Sequence, residues 1–449
     1  MHHYDAAAEQ LTARIIELLG GLAALDPTPL GATLTPAEME ARARTVISTR
    51  GTDPAAVLEL FTNTLAPSVM RSDSPRFLAW VPSAPTKAAM LFDAVVSLAA
   101  VSGISWLESS GAIHAENEAL RFIADAAGMP AGAGGTFVQG GSAANLSALA
   151  VARDVGRSRT PPTGPVRFAV TTETHASIRN TMRILGVDTF TVPLVDDRLT
   201  GDALAAALAA DADPESVRAV CVSAGATNAG LVDDVAGIAS VCAERNIWMH
   251  VDAAYGGGAL LAPSVRHLFD GIEAADSLVV DPHKWLYAPL DCAALLYREP
   301  ALARAVHRQY ASYLDTVNES SGGWNPSDYA YQLTRRARGL PLWFSLAVHG
   351  SDQYRDAIEQ VLATTRATAA RVHDESQLDL VREPELSIVL FRRRGWNTSD
   401  YDRWSEALLR DGVAVVVPTQ WHGETVARLC FLHPDTTMEI VDEILATTA

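Results

Sequence analysis

Asp281-Pro282-His283-Lys284-Trp285 follows an apolar run, Ser277–Val280, and carries one of only two lysines in the 449-residue chain; the other is Lys87. The 35 Lys and Arg residues are therefore almost all Arg. A lysine beside apolar residues, His and Trp suits chemistry that Arg does not do. A desolvated ammonium can lose its proton and attack a carbonyl, whereas a guanidinium stays protonated. A compositional bias against lysine explains the count equally well, so the surrounding motifs have to decide.

Working outward, apolar strand-like runs alternate with helical stretches from about residue 84 to 350. Strands are expected at 136–139, 167–171, 188–192, 217–222, 247–251, Ser277–Val280 and Ala293–Tyr297. Helices are expected at 143–155, Ala176–Leu185, Gly201–Ala210 and Val235–Arg245. Continuous apolar strands separated by helices imply an α/β fold with a mainly parallel sheet buried on both faces. Residues 1–83 read as a helix at 6–25, a Pro-interrupted turn, and a second helix capped by Thr35. That segment is too thin to fold alone and is expected to pack on another domain or subunit. From 351 the pattern becomes a small α+β domain: a long helix at 352–375, strands at 386–392, 414–417 and 427–432, and a last helix at 437–447.

In open parallel sheets, ligands sit beyond the carboxyl ends of the strands. Four features fall there. Gly140-Gly141-Ser142-Ala143 opens a helix, where free N–H groups suit an anion, although a plain tight turn is an equal reading. His175 follows the strand at 167–171; it is either an ordinary helix-start residue or a flat ring for stacking on a planar ligand. Asp252 ends an apolar strand in His250-Val251-Asp252-Ala253-Ala254. It either turns the chain or holds a protonated pyridine nitrogen, with Ala254 leaving room for the ring. Lys284 comes 32 positions after Asp252, enough for one crossover to a neighbouring strand. Phosphate site, stacking His, ring-nitrogen carboxylate and Lys, in that order, describe a pyridoxal 5'-phosphate pocket.

Composition narrows the classes further. The chain is 48% hydrophobic and 20% charged, enough to bury a large core in two or three domains. A net charge of −18 disfavours nucleic acid and anionic membrane as partners. No apolar run approaches a bilayer span, and the N-terminus shows no secretory pattern. Cys221, Cys242, Cys292 and Cys430 have no metal-ligand spacing, so no metal is expected. They read as reduced thiols of a cytoplasmic protein, with Cys221 and Cys292 in buried strands.

With these motifs in place, the chain resembles the group II pyridoxal-phosphate-dependent amino acid decarboxylases, in particular the aromatic-L-amino-acid, tyrosine and tryptophan decarboxylase branch. The resemblance extends through Ser74-Pro75-Arg76-Phe77-Leu78-Ala79-Trp80-Val81-Pro82-Ser83, Gly103-Ile104-Ser105-Trp106 and Arg335-Arg336-Ala337-Arg338-Gly339-Leu340. It implies a fold type I PLP-dependent transferase-like architecture and a homodimer with shared active sites, the first 83 residues being a dimerisation segment. It implies that Lys284 carries the cofactor, Asp252 pairs with the ring nitrogen, Ala254 lies against the ring and His175 stacks on its other face. Thr227 lies near the ring, while Ser142, Ala143 and His283 supply the phosphate site. Relatives often have Ser at the Ala143 position, so one hydroxyl donor is missing. Asp281, whose charge would repel a phosphate, is not expected to bind it.

Tyr310-Ala311-Ser312-Tyr313-Leu314 resembles the start of the family's mobile catalytic loop, continued by a polar, Gly-rich lid at 315–327. Tyr313 is then the proton donor to the substrate carbon, with Tyr310 as the rival alignment. The implied side-chain pocket comprises Trp80, Val81, Pro82, Ser83 and Trp106, an apolar and aromatic lining that favours an aromatic or large apolar L-amino acid as substrate. Relatives commonly have Tyr and Phe at the Trp80 and Val81 positions, so the pocket is reshaped. The expected reaction is decarboxylation to the amine and CO2. An aldehyde-forming oxidative variant, an aminotransferase and a non-catalytic cofactor-binding scaffold are the alternatives, because fold does not fix reaction.

Overall fold

The structure, a computed structural model, describes residues 2–43, 45–159, 166–314 and 323–449. Its centre is a seven-stranded sheet made of β1 (Gly134–Val138), β2 (Arg167–Val170), β3 (Asp188–Thr191), β4 (Val217–Ser223), β5 (Trp248–Asp252), β6 (Ser277–Val280) and β7 (Ala293–Tyr297). The spatial order is β1-β7-β6-β5-β4-β2-β3. Strands β2 to β6 pair in parallel, and β7 runs antiparallel to both β6 and β1. All residues of β6 and β7 are buried. Helices cover both faces, so these strands are continuous apolar runs rather than alternating ones.

Helices Ala176–Leu185, Gly201–Ala210 and Val235–Arg245 have the expected bounds. Each starts at a side-chain cap: His175 accepts from Ser177 N, Thr200 from Ala203 N and Asp234 from Gly237 N. The long helix begins earlier than expected, at Leu340, and runs to Asp374. Gly350, at φ 75° and ψ 159°, breaks its regularity without ending it.

The second sheet has four strands in the order β10-β11-β9-β8: β8 (Leu378–Leu380), β9 (Ile388–Arg393), β10 (Thr419–Trp421) and β11 (Glu424–Cys430). The strand expected at 414–417 is absent from it. Val415 instead bridges Phe77: Val415 N donates to Arg76 O at 2.9 Å, and Leu78 N donates to Val415 O at 2.8 Å. The apolar run is buried because Leu30, Phe77 and Ala79 pack on it. The N-terminal segment is thus clasped by the C-terminal one, which brings residues 77–83 toward the end of the large sheet. All four cysteines are buried free thiols, Cys221 within β4 and Cys292 just before β7. Among the described residues, no helix is long and apolar enough to cross a membrane.

Candidate active site

A cavity of about 660 Å³ opens beyond the carboxyl ends of the parallel strands. Ser142, Ala143, His175, Thr227, Asp252, Ala254, His283 and Lys284 all line it, brought there by five strand ends of the αβ pattern. β5 and β6 are neighbours with Asp252 paired to Val279, so Asp252 and the Lys284 turn emerge side by side. The Lys284 turn is rigid. It is a short helix, Pro282–Trp285, and its Trp285 is fully buried and stacked on Tyr255 with ring centroids 5.5 Å apart.

Lys284 Nζ lies 2.9 Å from Asp281 Oδ2. Burial pulls its ammonium down, but the Asp281 carboxylate, its hydrogen bond and the more distant Asp252 outweigh burial and hold it above the ordinary lysine value. Asp281 is buried. Its Oδ2 also accepts from Gly141 N at 3.3 Å, while Oδ1 is sealed from solvent without a partner among the described residues. Asp281 is therefore the charge partner and nearest base of Lys284, a role that sequence reasoning missed.

Asp252 is oriented by two donors: Ala254 N reaches Oδ1 at 3.1 Å and Asn145 Nδ2 reaches Oδ2 at 2.9 Å. His175 lies at the exposed lip of the cavity, its Nδ1 held by the Ser177 hydroxyl at 2.8 Å and the Ser177 amide at 3.2 Å. His283 Nδ1 is committed to the Cys292 carbonyl at 2.6 Å, and its Nε2 lies 3.7 Å from Asp281 Oδ2. Thr227 is fixed through its backbone, since Arg428 Nη2 donates to its carbonyl at 2.6 Å.

Pyridoxal 5'-phosphate fits this donor set. The helix Gly141–Arg159 points its N-terminus into the cavity, and the Ser142 amide and hydroxyl have no acceptor among the described residues. Across the cavity from them stand a carboxylate suited to a ring nitrogen and a half-buried lysine suited to an aldehyde.

Trp80, Val81, Pro82 and Ser83 line a second cavity of about 480 Å³, which shares His283 and Leu290 with the first. Its lining, completed by residues such as Met70 and Phe77, contains no Asp, Glu, Lys or Arg among the described residues. Trp80 is 54% exposed at φ 49°, its carbonyl gripped by Arg428 Nη1 at 2.6 Å. Trp106 lines neither cavity; it heads the helix Trp106–Ala126, with its amide on Asn325 Oδ1 at 2.9 Å. The side chain of Tyr313 and lid residues 315–322 lie outside the described residues.

Sequence reasoning also passed over Asn145, Ser177 and His250. A signal was present: His250 and Asp252 share a sheet face by the two-residue period, so a second polar residue lay on the face that leads to the site.

The model of the pyridoxal-dependent decarboxylase conserved domain matches residues 36–394. An aromatic-L-amino-acid decarboxylase of Bacillus atrophaeus is 29% identical over 89% of this chain and 85% of its own length. An L-2,4-diaminobutyrate decarboxylase of Rhizobium meliloti (strain 1021) is 34% identical over 80% of this chain and 74% of its own. Among solved structures, Oryza sativa TDC with PLP and tryptamine superposes with a TM-score of 0.90 at 25% identity, covering 100% of this chain and 99% of that one.

Proposed function

The chain belongs to the pyridoxal-dependent decarboxylase family, a PLP-dependent family of enzymes, and from that premise we propose that it decarboxylates an aromatic or large apolar L-amino acid to the amine and CO2. The observation that carries the substrate class is the second cavity, which joins the first at His283 and Leu290 and, among the described residues, has no acidic or basic lining beyond His283. An aromatic side chain buries apolar area there at about 25 cal/mol per Å². A second ammonium, as in a diamino acid, would be desolvated without a counter-charge. The diaminobutyrate-decarboxylating relative supports that second reading, which the same assay decides.

When bound, pyridoxal 5'-phosphate supplies a sink for the electron pair released as the Cα–carboxylate bond breaks. The chain's own groups do the rest. Lys284 gives up its proton to act as a nucleophile, and Asp281 at 2.9 Å is placed to take it. Asp252, oriented by two N–H donors, would pair with the ring nitrogen. His175 covers the ring, and Ser142 with the helix N-terminus holds the phosphate. Tyr313 delivers a proton to Cα after CO2 departs. We further propose a homodimer, supported by the exposed apolar row Leu91, Val95 and Leu98 on helix Lys87–Leu98; light scattering in solution tests it.

The deciding experiment is a panel of L-amino acids, each assayed for CO2, amine and peroxide. Amine with CO2 from aromatic substrates is expected. Turnover confined to diamino acids overturns the substrate reading, and peroxide with aldehyde overturns the reaction reading in favour of the oxidative variant. Borohydride reduction of the holoenzyme is expected to fix the cofactor's mass to the Lys284 peptide, and Lys284→Ala is expected to abolish that label.

A further inference from the structure

A line of hydrogen bonds runs behind the cavity, and the chemistry of its ends fixes the direction of every bond in it. Asp252 Oδ2 can only accept, so the Asn145 atom 2.9 Å from it is the amide nitrogen. Asn145 Nδ2 also reaches Ser177 Oγ at 3.1 Å. Its Oδ1 is left to accept from His250 Nε2 at 3.0 Å. His250 Nδ1 is then unprotonated and accepts the Ser277 hydroxyl proton at 2.8 Å, which frees Ser277 Oγ to accept Trp248 Nε1–H at 2.8 Å. At the other end Ser177, accepting from Asn145, donates its own proton to His175 Nδ1 at 2.8 Å. No donor or acceptor along the line is opposed, and His175 Nδ1 also accepts the Ser177 amide at 3.2 Å. The strand register supports the line, since His250 pairs with Ser277 across β5 and β6. Asn145 and His250 are fully buried, and burial holds the His250 ring neutral, its pKa drawn down to about 4.

We propose that Asn145 is the positioning residue that couples the two groups gripping the cofactor ring: through one amide it orients the Asp252 carboxylate and the Ser177 hydroxyl, which joins the Ser177 amide in holding His175 as the Nε2–H tautomer. This rests on the reading of Asp252 as the ring-nitrogen partner. The amide works because it is an acceptor on the His250 side and a double donor on the cavity side. Neither an apolar isostere nor a carboxylate can do both. The titratable groups facing this point are Asp252 and His250 from β5, His175 from the preceding loop and Cys221 from β4, with Lys284 across the cavity.

The test measures pyridoxal 5'-phosphate affinity of the ligand-free full chain across pH for wild type, Asn145→Leu, Asn145→Asp and Asp252→Asn. Asn145→Leu removes the bonds at nearly constant volume and is expected to weaken binding about 10- to 100-fold, the worth of a hydrogen bond to a charged group. Asn145→Asp keeps an acceptor for His250 but opposes two carboxylates. Its affinity at about pH 8 is expected to fall below that of Asn145→Leu and to recover at least about tenfold toward pH 5.5, where one shared proton restores a donor to Asp252. A residue that merely fills space gives no such recovery. Nitrogen-15 spectra of the ligand-free wild type are expected to give His175 and His250 as Nε2–H tautomers. Asn145→Leu binding within about twofold of wild type, an Asn145→Asp profile parallel to that of Asn145→Leu, or an Nδ1–H His250 each overturns the proposal. Should Asn145→Leu fail to fold, Asn145→Asp against wild type carries the pH comparison. If Asp252→Asn binds as tightly as wild type, the Asp252 reading itself fails, whatever the Asn145 variants do.

Discussion

Replacing Arg335 by Met should cost more stability than deleting its contact partner together with it. The Arg335 and Glu116 side chains are 1% and 2% exposed, and the guanidinium meets both carboxylate oxygens, at 2.7 and 2.8 Å. The same guanidinium donates to the carbonyls of Gly103 at 2.5 Å and Phe137 at 3.1 Å, and Glu116 Oε1 accepts from Gly339 N at 2.8 Å. One pair therefore ties β1, which leads into the Gly140–Ser142 turn, to the helix Trp106–Ala126 and the start of the helix at Leu340. Arg335→Met strands a buried carboxylate with a single amide donor, a loss of about 3–5 kcal/mol. With an unfolding entropy of about 0.9 kcal/mol per K for a chain of this length, the melting point drops by about 3–5 °C if the chain melts as one unit. In Arg335→Met/Glu116→Leu no unpaired charge remains. The residual cost is that of the orphaned Gly103, Phe137 and Gly339 backbone groups, so the double variant should regain at least about 1–2 kcal/mol over the single. Thermal and urea unfolding of the four proteins of the cycle, followed by tryptophan fluorescence, measures the coupling. Additive losses, with the double variant less stable than either single, would refute the reasoning.

Three further outcomes follow from the geometry. Burial lifts Asp233 to about 7 despite amide donors from Ser223 and Leu199, so the folded state holds its proton where the unfolded chain has lost it. This term destabilises as pH rises from about 4 to 7; relative to Asp233→Asn, wild-type stability should fall by up to about 1.4 kcal/mol per pH unit across that window in urea titrations, and a pH-independent difference would exclude it. His250 acts with the opposite sign, its lowered pKa costing stability as pH falls from about 6.5 to 4, so Asp233→Asn should unmask a steeper acid loss than wild type shows. Asp281→Asn leaves burial as the dominant influence on Lys284, so covalent capture of the cofactor aldehyde should extend to lower pH than in wild type; stopped-flow absorbance across pH checks it, and an unchanged or alkaline-shifted profile would contradict the pairing.

What the sequence disclosed and what it hid divide along a physical line. The large sheet was legible because parallel strands buried on both faces must be unbroken apolar runs, and Ser277–Val280 and Ala293–Tyr297 fall within the expected bounds. The cavity residues were legible for a related reason: each stands just past the carboxyl end of such a run, where the chain turns and a polar side chain needs a function. The strand misread at 414–417 shows where this logic stops. Val415 is as apolar as any β-strand residue, but its partner is Phe77, more than three hundred positions away, and no local period reports so distant a pairing. Arg428 poses the same problem within the site. It sits inside β11 looking like an ordinary strand arginine, yet its guanidinium reaches the carbonyls of Thr227, Asn228 and Trp80 and so joins the rim of the first cavity to the wall of the second. The cofactor end of the pocket is built from groups within about 150 residues of one another along the crossovers, which is why its chemistry could be read in order. The side-chain end is built by clasping the two ends of the chain together, so substrate choice rests on contacts that only the folded molecule brings into being.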